Sequence, residues 1–156
     1  MPDHPFCTEL EFQRTFFLRS TSCFRPQDAG FAPQPGMFSV AAQIAHAAFT
    51  VDWFMQGAFR PQGFDMDFAQ HERDARSIAT LQDALARFTA SYQAAIDRFA
   101  ATSLADLHIP IAAGPIMGGA PRLAVASALG DHTAHHRGAL TIYARLLGLT
   151  PPMPYA

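Results

Sequence analysis

His132 and His136 lie four residues apart within LAVASALGDHTAHHRGALTIYARLL, residues 123–147, where three of the seven histidines fall inside five positions. Neutral imidazole is the commonest side-chain metal ligand. On a helix, residues four apart project from the same side, one turn above the other. Such a pair can hold a divalent ion if another element supplies a third ligand. It can also be two core histidines with unrelated hydrogen-bond partners, since a buried imidazole needs partners for its nitrogens. The pair taken alone leaves both readings open. His135 falls on a flank, roughly 80–100° around the helix from the pair, beside Ala139 and Ile142.

The element that must position these histidines is a helix. Pro121 stands near its start and Gly148 just past its end, the usual asymmetry of helix boundaries. Val125, Leu129, Leu140, Tyr143 and Leu147 form an apolar series, and His132 and His136 fill its gaps, so the spacing runs 4, 3, 4, 4, 3, 4. That is the inward stripe of a bundle helix.

Candidates for a third ligand are few. A second helix is predicted from Ser39, an N-cap residue, to about Gln56. Val40, Ile44, Ala47, Val51, Phe54 and Met55 make its main stripe, while Phe49 and Trp53 make its other side apolar too. Such a helix is buried on two sides, against this chain or a second subunit. His46 lies on that other side, beside Gln43, Thr50 and Trp53, and periodicity alone does not aim it at the C-terminal pair. His71 sits among Gln70, Glu72, Arg73 and Asp74 in a short polar helix over 67–79, which predicts a solvated face. His108 lies in a Pro- and Gly-broken connection over 103–120, long enough to be a lid or binding loop. Asp52 and Asp131 are either acceptors that orient an imidazole or exposed helix carboxylates.

The remaining chain reads as a support. A first helix is predicted over 6–22, a breaker over 24–37 with three prolines and two glycines, and a loop over 57–66. A further helix starts at Thr80 and Asp83, a capping-box variant, and carries the stripe Leu81, Leu85, Phe88, Tyr92, Ile96 and Phe99. Nothing reads as a strand. Four long helices and a short one, with a long loop before the last, predict an all-α four-helix bundle, one domain over 1–156.

The 156 residues are 49% apolar and 15% charged, with a net charge of −2, as expected of a globular chain. All eleven cations are Arg and none form a run, which gives nucleic-acid binding no support. Cys7 and Cys23 form no framework, consistent with a reducing, cytoplasmic setting. The N-terminal stretch lacks the pattern of a signal peptide, and no apolar run reaches membrane-spanning length. Thr133 stands where a zincin-type protease carries its glutamate, and there is no Gly-x-Ser-x-Gly elbow.

DHTAHHRGALTIYARLLGLTPPMPY resembles the C-terminal signature of the DinB-like (damage-inducible) metal-binding proteins, in which a helix carries His-x3-His and runs into His-Arg-Gly. SVAAQIAHAAFTVDWF is similar to the second helix of that family, and the two segments lie in the expected order. The resemblance covers the chain from about residue 10 onward and is specific in these two segments. It implies a four-helix bundle, usually a homodimer, with a divalent metal held by His46, His132 and His136. His135 takes the place of a histidine that precedes the last ligand without being a main ligand. Ala139 departs from the Gln that many members carry there. The family name refers to induction by DNA damage and implies no activity on DNA.

Three neutral imidazoles leave a bound ion its full +2 charge and open positions for water or substrate. Such an ion activates water or holds a thiol as thiolate, and three nitrogens do not choose among Zn, Ni, Fe(II) and Mn. Characterised members of the family include thiol-dependent transferases and isomerases, so the first expectation is a metal-dependent enzyme of that kind. Phe49, Trp53, Tyr143 and the 103–120 loop are its candidate pocket walls, and Arg137 is either its anion contact or the partner of a carboxylate. The second expectation is a non-catalytic stress-response protein with a structural metal and a dimerising second helix. A third is a helical bundle without metal.

Overall fold

Serine and threonine caps set where helices begin. The Ser39 hydroxyl accepts from Ala42 N at 3.2 Å and the Thr80 hydroxyl from Asp83 N at 3.1 Å, each satisfying a backbone donor that the first turn cannot. The computed structural model describes residues 5–156; residues 1–4, the start of the N-terminal stretch read above, lie outside it. Its helices are α1 (Pro5–Thr21), α2 (Val40–Phe59), α3 (Phe68–Ser77), α4 (Leu81–Ala100), α5 (Leu104–Leu107) and α6 (Ala124–Leu146). A short 3-10 turn at Pro26–Asp28 interrupts the breaker between α1 and α2. Among the described residues there is no strand, only an isolated bridge between Pro110 and Pro121. No described helix is long and apolar enough to cross a membrane.

α1 and α2 each pack against both α4 and α6, so these four close into a ring around one apolar core. The predicted stripes are what they bury: Ile44 and Val51 from α2, Phe88, Tyr92 and Phe99 from α4, Leu129 and Leu140 from α6, with Leu10 and Phe17 from α1. The Phe17 and Phe88 rings stack with centroids 4.0 Å apart. The second apolar side of α2 is taken by α3 of the same chain. Trp53 lies against Phe68 and His71 there, with ring centroids 6.0 and 6.5 Å away. α2 thus finds within this chain the cover that a second subunit was one way to supply. The Cys7 thiol donates to Ile96 O at 3.6 Å and the Cys23 thiol to Ser20 O at 3.7 Å.

Two boundaries differ from expectation. α2 continues through Gly57 to Phe59. Gly57 is buried, and a Cβ there would stand 2.3 Å from the Phe64 ring. The glycine is thus a contact point and not a stop signal: the chain after α2 folds back and lays Phe64 on it. Gly57→Ala should cost about 1–2 kcal/mol in urea unfolding, since overpacking of about 1–3 kcal/mol outweighs about 0.5–1 kcal/mol of helix preference.

The 103–120 connection is the second. Ser103 caps the four-residue α5, and Leu107 and Ile111 are buried in the core. Nearby, the Arg122 guanidinium donates to Ala58 O at 3.1 Å. The connection therefore packs beside the far end of α2, roughly 18 Å along the helix from His46 at 1.5 Å per residue.

A buried polar link ties three of the four ring helices. Tyr92 on α4 places its hydroxyl 2.7 Å from that of Thr133 on α6 and 3.3 Å from the Gln13 amide oxygen on α1. Burial pushes the Tyr92 phenol well up from its ordinary pKa. Tyr92→Phe should leave the Thr133 hydroxyl without this partner and cost about 1–2 kcal/mol in urea unfolding.

Candidate metal centre

The inward stripe of α6 carries His132 and His136 into the bundle, where the adjacent face of α2 carries His46 toward them. One ring nitrogen from each of the three histidines can be chosen so that all three lie within 4.8 Å of one another. His132 Nε2 and His136 Nε2 are 3.0 Å apart. Two nitrogens each about 2.0–2.1 Å from a common zinc stand roughly 2.9–3.4 Å apart, so this pair has the spacing of two ligands on one ion. The donor set fits as well: among the described residues, no other grouping of three histidines, cysteines or carboxylates converges in this way.

Each imidazole is set by its surroundings. His136 is 8% exposed, and Gln43 Nε2 on α2 lies 2.8 Å from its Nδ1. With the amide turned so that its oxygen accepts from Nδ1–H, the Nε2 lone pair is left pointing at the cluster. The Phe38 ring stacks on His46 with centroids 5.2 Å apart. Phe38 is itself anchored, because Tyr143 donates its hydroxyl to Phe38 O at 3.2 Å. Burial, then the neighbouring imidazoles, hold His136 down to about 3 and His132 to about 4. Burial likewise lowers His46. All three are therefore neutral at pH 7, with nitrogen lone pairs available to a cation.

A profile of the DinB superfamily matches residues 9–140. The chain belongs to the DinB superfamily. No curated protein matches it. The match runs from within α1 past His46, His132 and His136, and the all-helical ring agrees with the fold that the two sequence segments implied.

Two cavities reach the histidines of this DinB-superfamily protein from different sides. One, of about 190 Å³, is lined by Phe49, Thr50, Trp53, Phe54, Phe68 and His71 against His46 and His132. The other is a wider groove of about 580 Å³, in which Phe38, Gln43, Glu72, Arg76, His135 and Tyr143 stand around His46 and His136. Phe49, Trp53 and Tyr143 are thus wall residues, as expected.

Other expectations are corrected. His71 is not on a solvated face: its side chain is 30% exposed, and it stands in the walls of both cavities. Its Nε2 is buried without a hydrogen-bond partner, 3.9 Å from the Asp65 carboxylate. The polar neighbours of His71 in sequence gave the wrong face because α3 is covered along one side by Trp53. The 103–120 loop lines neither cavity, and the exposed His108 turns its Nδ1 to Leu104 O at 2.7 Å.

Arg137 lies away from both cavities, between the Phe16 and Tyr155 rings at 5.9 and 5.6 Å. Its neighbours on α6 face α1 and the C-terminal tail, so it has no route to a ligand beside the histidines. Asp52 reaches across to α4, pairing with Arg87 and accepting from the Ser91 hydroxyl at 3.0 Å. Asp131 is exposed. Neither carboxylate orients an imidazole. That part falls to Gln43, which periodicity had placed beside His46 but had not linked to α6.

Proposed function

We propose that this protein binds a divalent metal through His46, His132 and His136 and uses it to activate a small thiol or water toward a small organic substrate. The observation that carries the reading is the convergence of three imidazoles in the walls of two cavities. A divalent ion held there supplies Lewis acidity, lowering the pKa of a thiol or water beside it. The chain's own residues do the rest. Gln43 fixes the ring of His136, and Phe38 fixes that of His46. The aromatic wall limits water on one side, while the groove on the other, with Glu72, Arg76 and His135, admits a polar reactant. A metal of purely structural use gains nothing from two approaches, so the cavities favour the catalytic reading.

Elemental analysis of untagged protein tests the metal. About one ion per chain is expected. An ion-free protein that takes up none on dialysis against Zn, Ni or Mn overturns the proposal. Turnover assays with several low-molecular-weight thiols then test the chemistry, and zinc-loaded protein inert toward all of them would leave metal binding without catalysis.

A further inference from the structure

We infer that the smaller cavity is a seat for a single neutral aromatic ring whose one donor atom points at His46 and His132. The volume, about 190 Å³, exceeds the roughly 150 Å³ apolar cavity known to take up benzene. It holds one six-membered ring with a small substituent and excludes a fused pair with side groups. Four of its walls are the rings of Phe49, Trp53, Phe54 and Phe68. Aromatic walls favour an aromatic occupant through offset and edge-to-face contacts.

No Arg, Asp or Glu lines the cavity, so a charged substituent finds no partner in it. Thr50 offers no free donor inward, because its hydroxyl donates to His46 O at 2.8 Å. The Trp53 indole N–H is engaged as well, donating to Asp65 O at 2.6 Å. This bond and the Phe64 ring, 4.6 Å from that of Trp53, hold the indole in place as a wall. The imidazoles of His46 and His132, with the unpartnered His71 Nε2 in the same wall, are therefore what remains for a polar atom of the ligand to meet. Phe68, 54% exposed, stands at the mouth. The ring's seat depends on these walls alone; the direction of its donor atom rests on the metal-site reading above.

The chain supplies its own reporter, since Trp53 is the only tryptophan. The experiment follows Trp53 emission and the ¹⁹F signal of fluorobenzene on EDTA-treated and zinc-loaded protein, with benzyl mercaptan and 2-mercaptoethanol as the thiol probes. Fluorobenzene should bind saturably to the metal-free protein, near about 1 mM for a ligand of this size. Thr50→Leu, which fills the cavity, should weaken it at least tenfold. Phe68→Ala, a change at a half-exposed position, should weaken it severalfold with only a small shift in the melting curve. On zinc-loaded protein benzyl mercaptan should bind at least tenfold more tightly than 2-mercaptoethanol.

No saturable fluorobenzene binding by either readout overturns the ring seat, even if zinc binds as proposed. Equal affinity of the two thiols for zinc-loaded protein overturns it too. Ring binding that zinc does not strengthen for the thiol upholds the seat and counts against the metal reading alone.

Discussion

Replacing His136 by alanine is expected to drop metal content from about one ion per chain to near none. The change removes the most buried of the three imidazoles and the nitrogen 3.0 Å from His132 Nε2. Two histidines then remain, too few for the three protein ligands of an open metal site. The same change strands the Gln43 amide, which is 6% exposed, so metal-free His136→Ala should also lose about 1–3 kcal/mol of stability. Gln43→Leu separates the two effects. It keeps all three ligands and frees the His136 ring to turn, which should weaken metal binding about 10–100-fold without abolishing it. Isothermal titration of zinc into metal-free protein measures both variants. Undiminished affinity in His136→Ala would show that the ion, if bound, sits elsewhere.

The second large effect is on pH. In the unfolded chain the histidines take up protons near 6.5, whereas burial holds His132 to about 4 and His136 to about 3 in the fold, with His46 also lowered. Between about pH 6.5 and 4 the unfolded state therefore binds more protons than the native one, and stability rises with pH across that window. The contribution of these groups is complete above about 6.5 and is lost as pH falls toward 4 and then 3. At pH 5 unfolding of metal-free protein should take up roughly two protons from His132 and His136. The slope of urea stability against pH measures this uptake. His132→Gln with His136→Gln should flatten it, and an unchanged slope would mean that the imidazoles titrate normally. Protons and metal compete for the same lone pairs, so zinc affinity should fall over the same range.

The sequence carried the helices because their boundaries rest on local chemistry. Ser39 and Thr80 cap whatever tertiary structure follows, and the stripes of α4 and α6 have one apolar face each. α6 could be read down to its histidines, since His132 and His136 occupy positions in its own inward series. His46 was harder. It lies off the main stripe of α2, and its direction is decided by a neighbour some ninety residues away, so the family resemblance and not periodicity singled it out.

The misreadings share a cause. The loop predicted over 57–66 began too early because nothing local announces Phe64 folding back onto Gly57. His71 looked solvated because its neighbours in sequence are polar, while its neighbours in space are Trp53 and Phe68. The 103–120 loop looked like a lid because proline and glycine mark irregularity without saying where it lands, and Leu107 and Ile111 send it into the core. Arg137 looked like an anion contact because it follows His136, yet one step along a helix turns a side chain by about 100°. In each case a contact distant in sequence decided the outcome.

The placement of the three histidines also bears on biosynthesis. His46 emerges from the ribosome well before His132 and His136, and the last two arrive only with α6, the helix that closes the ring. A nascent chain lacking α6 holds one histidine of the set. The full ligand set therefore cannot exist before α6 has been synthesised. Fragments truncated before α6 should have no such centre, however much metal surrounds them.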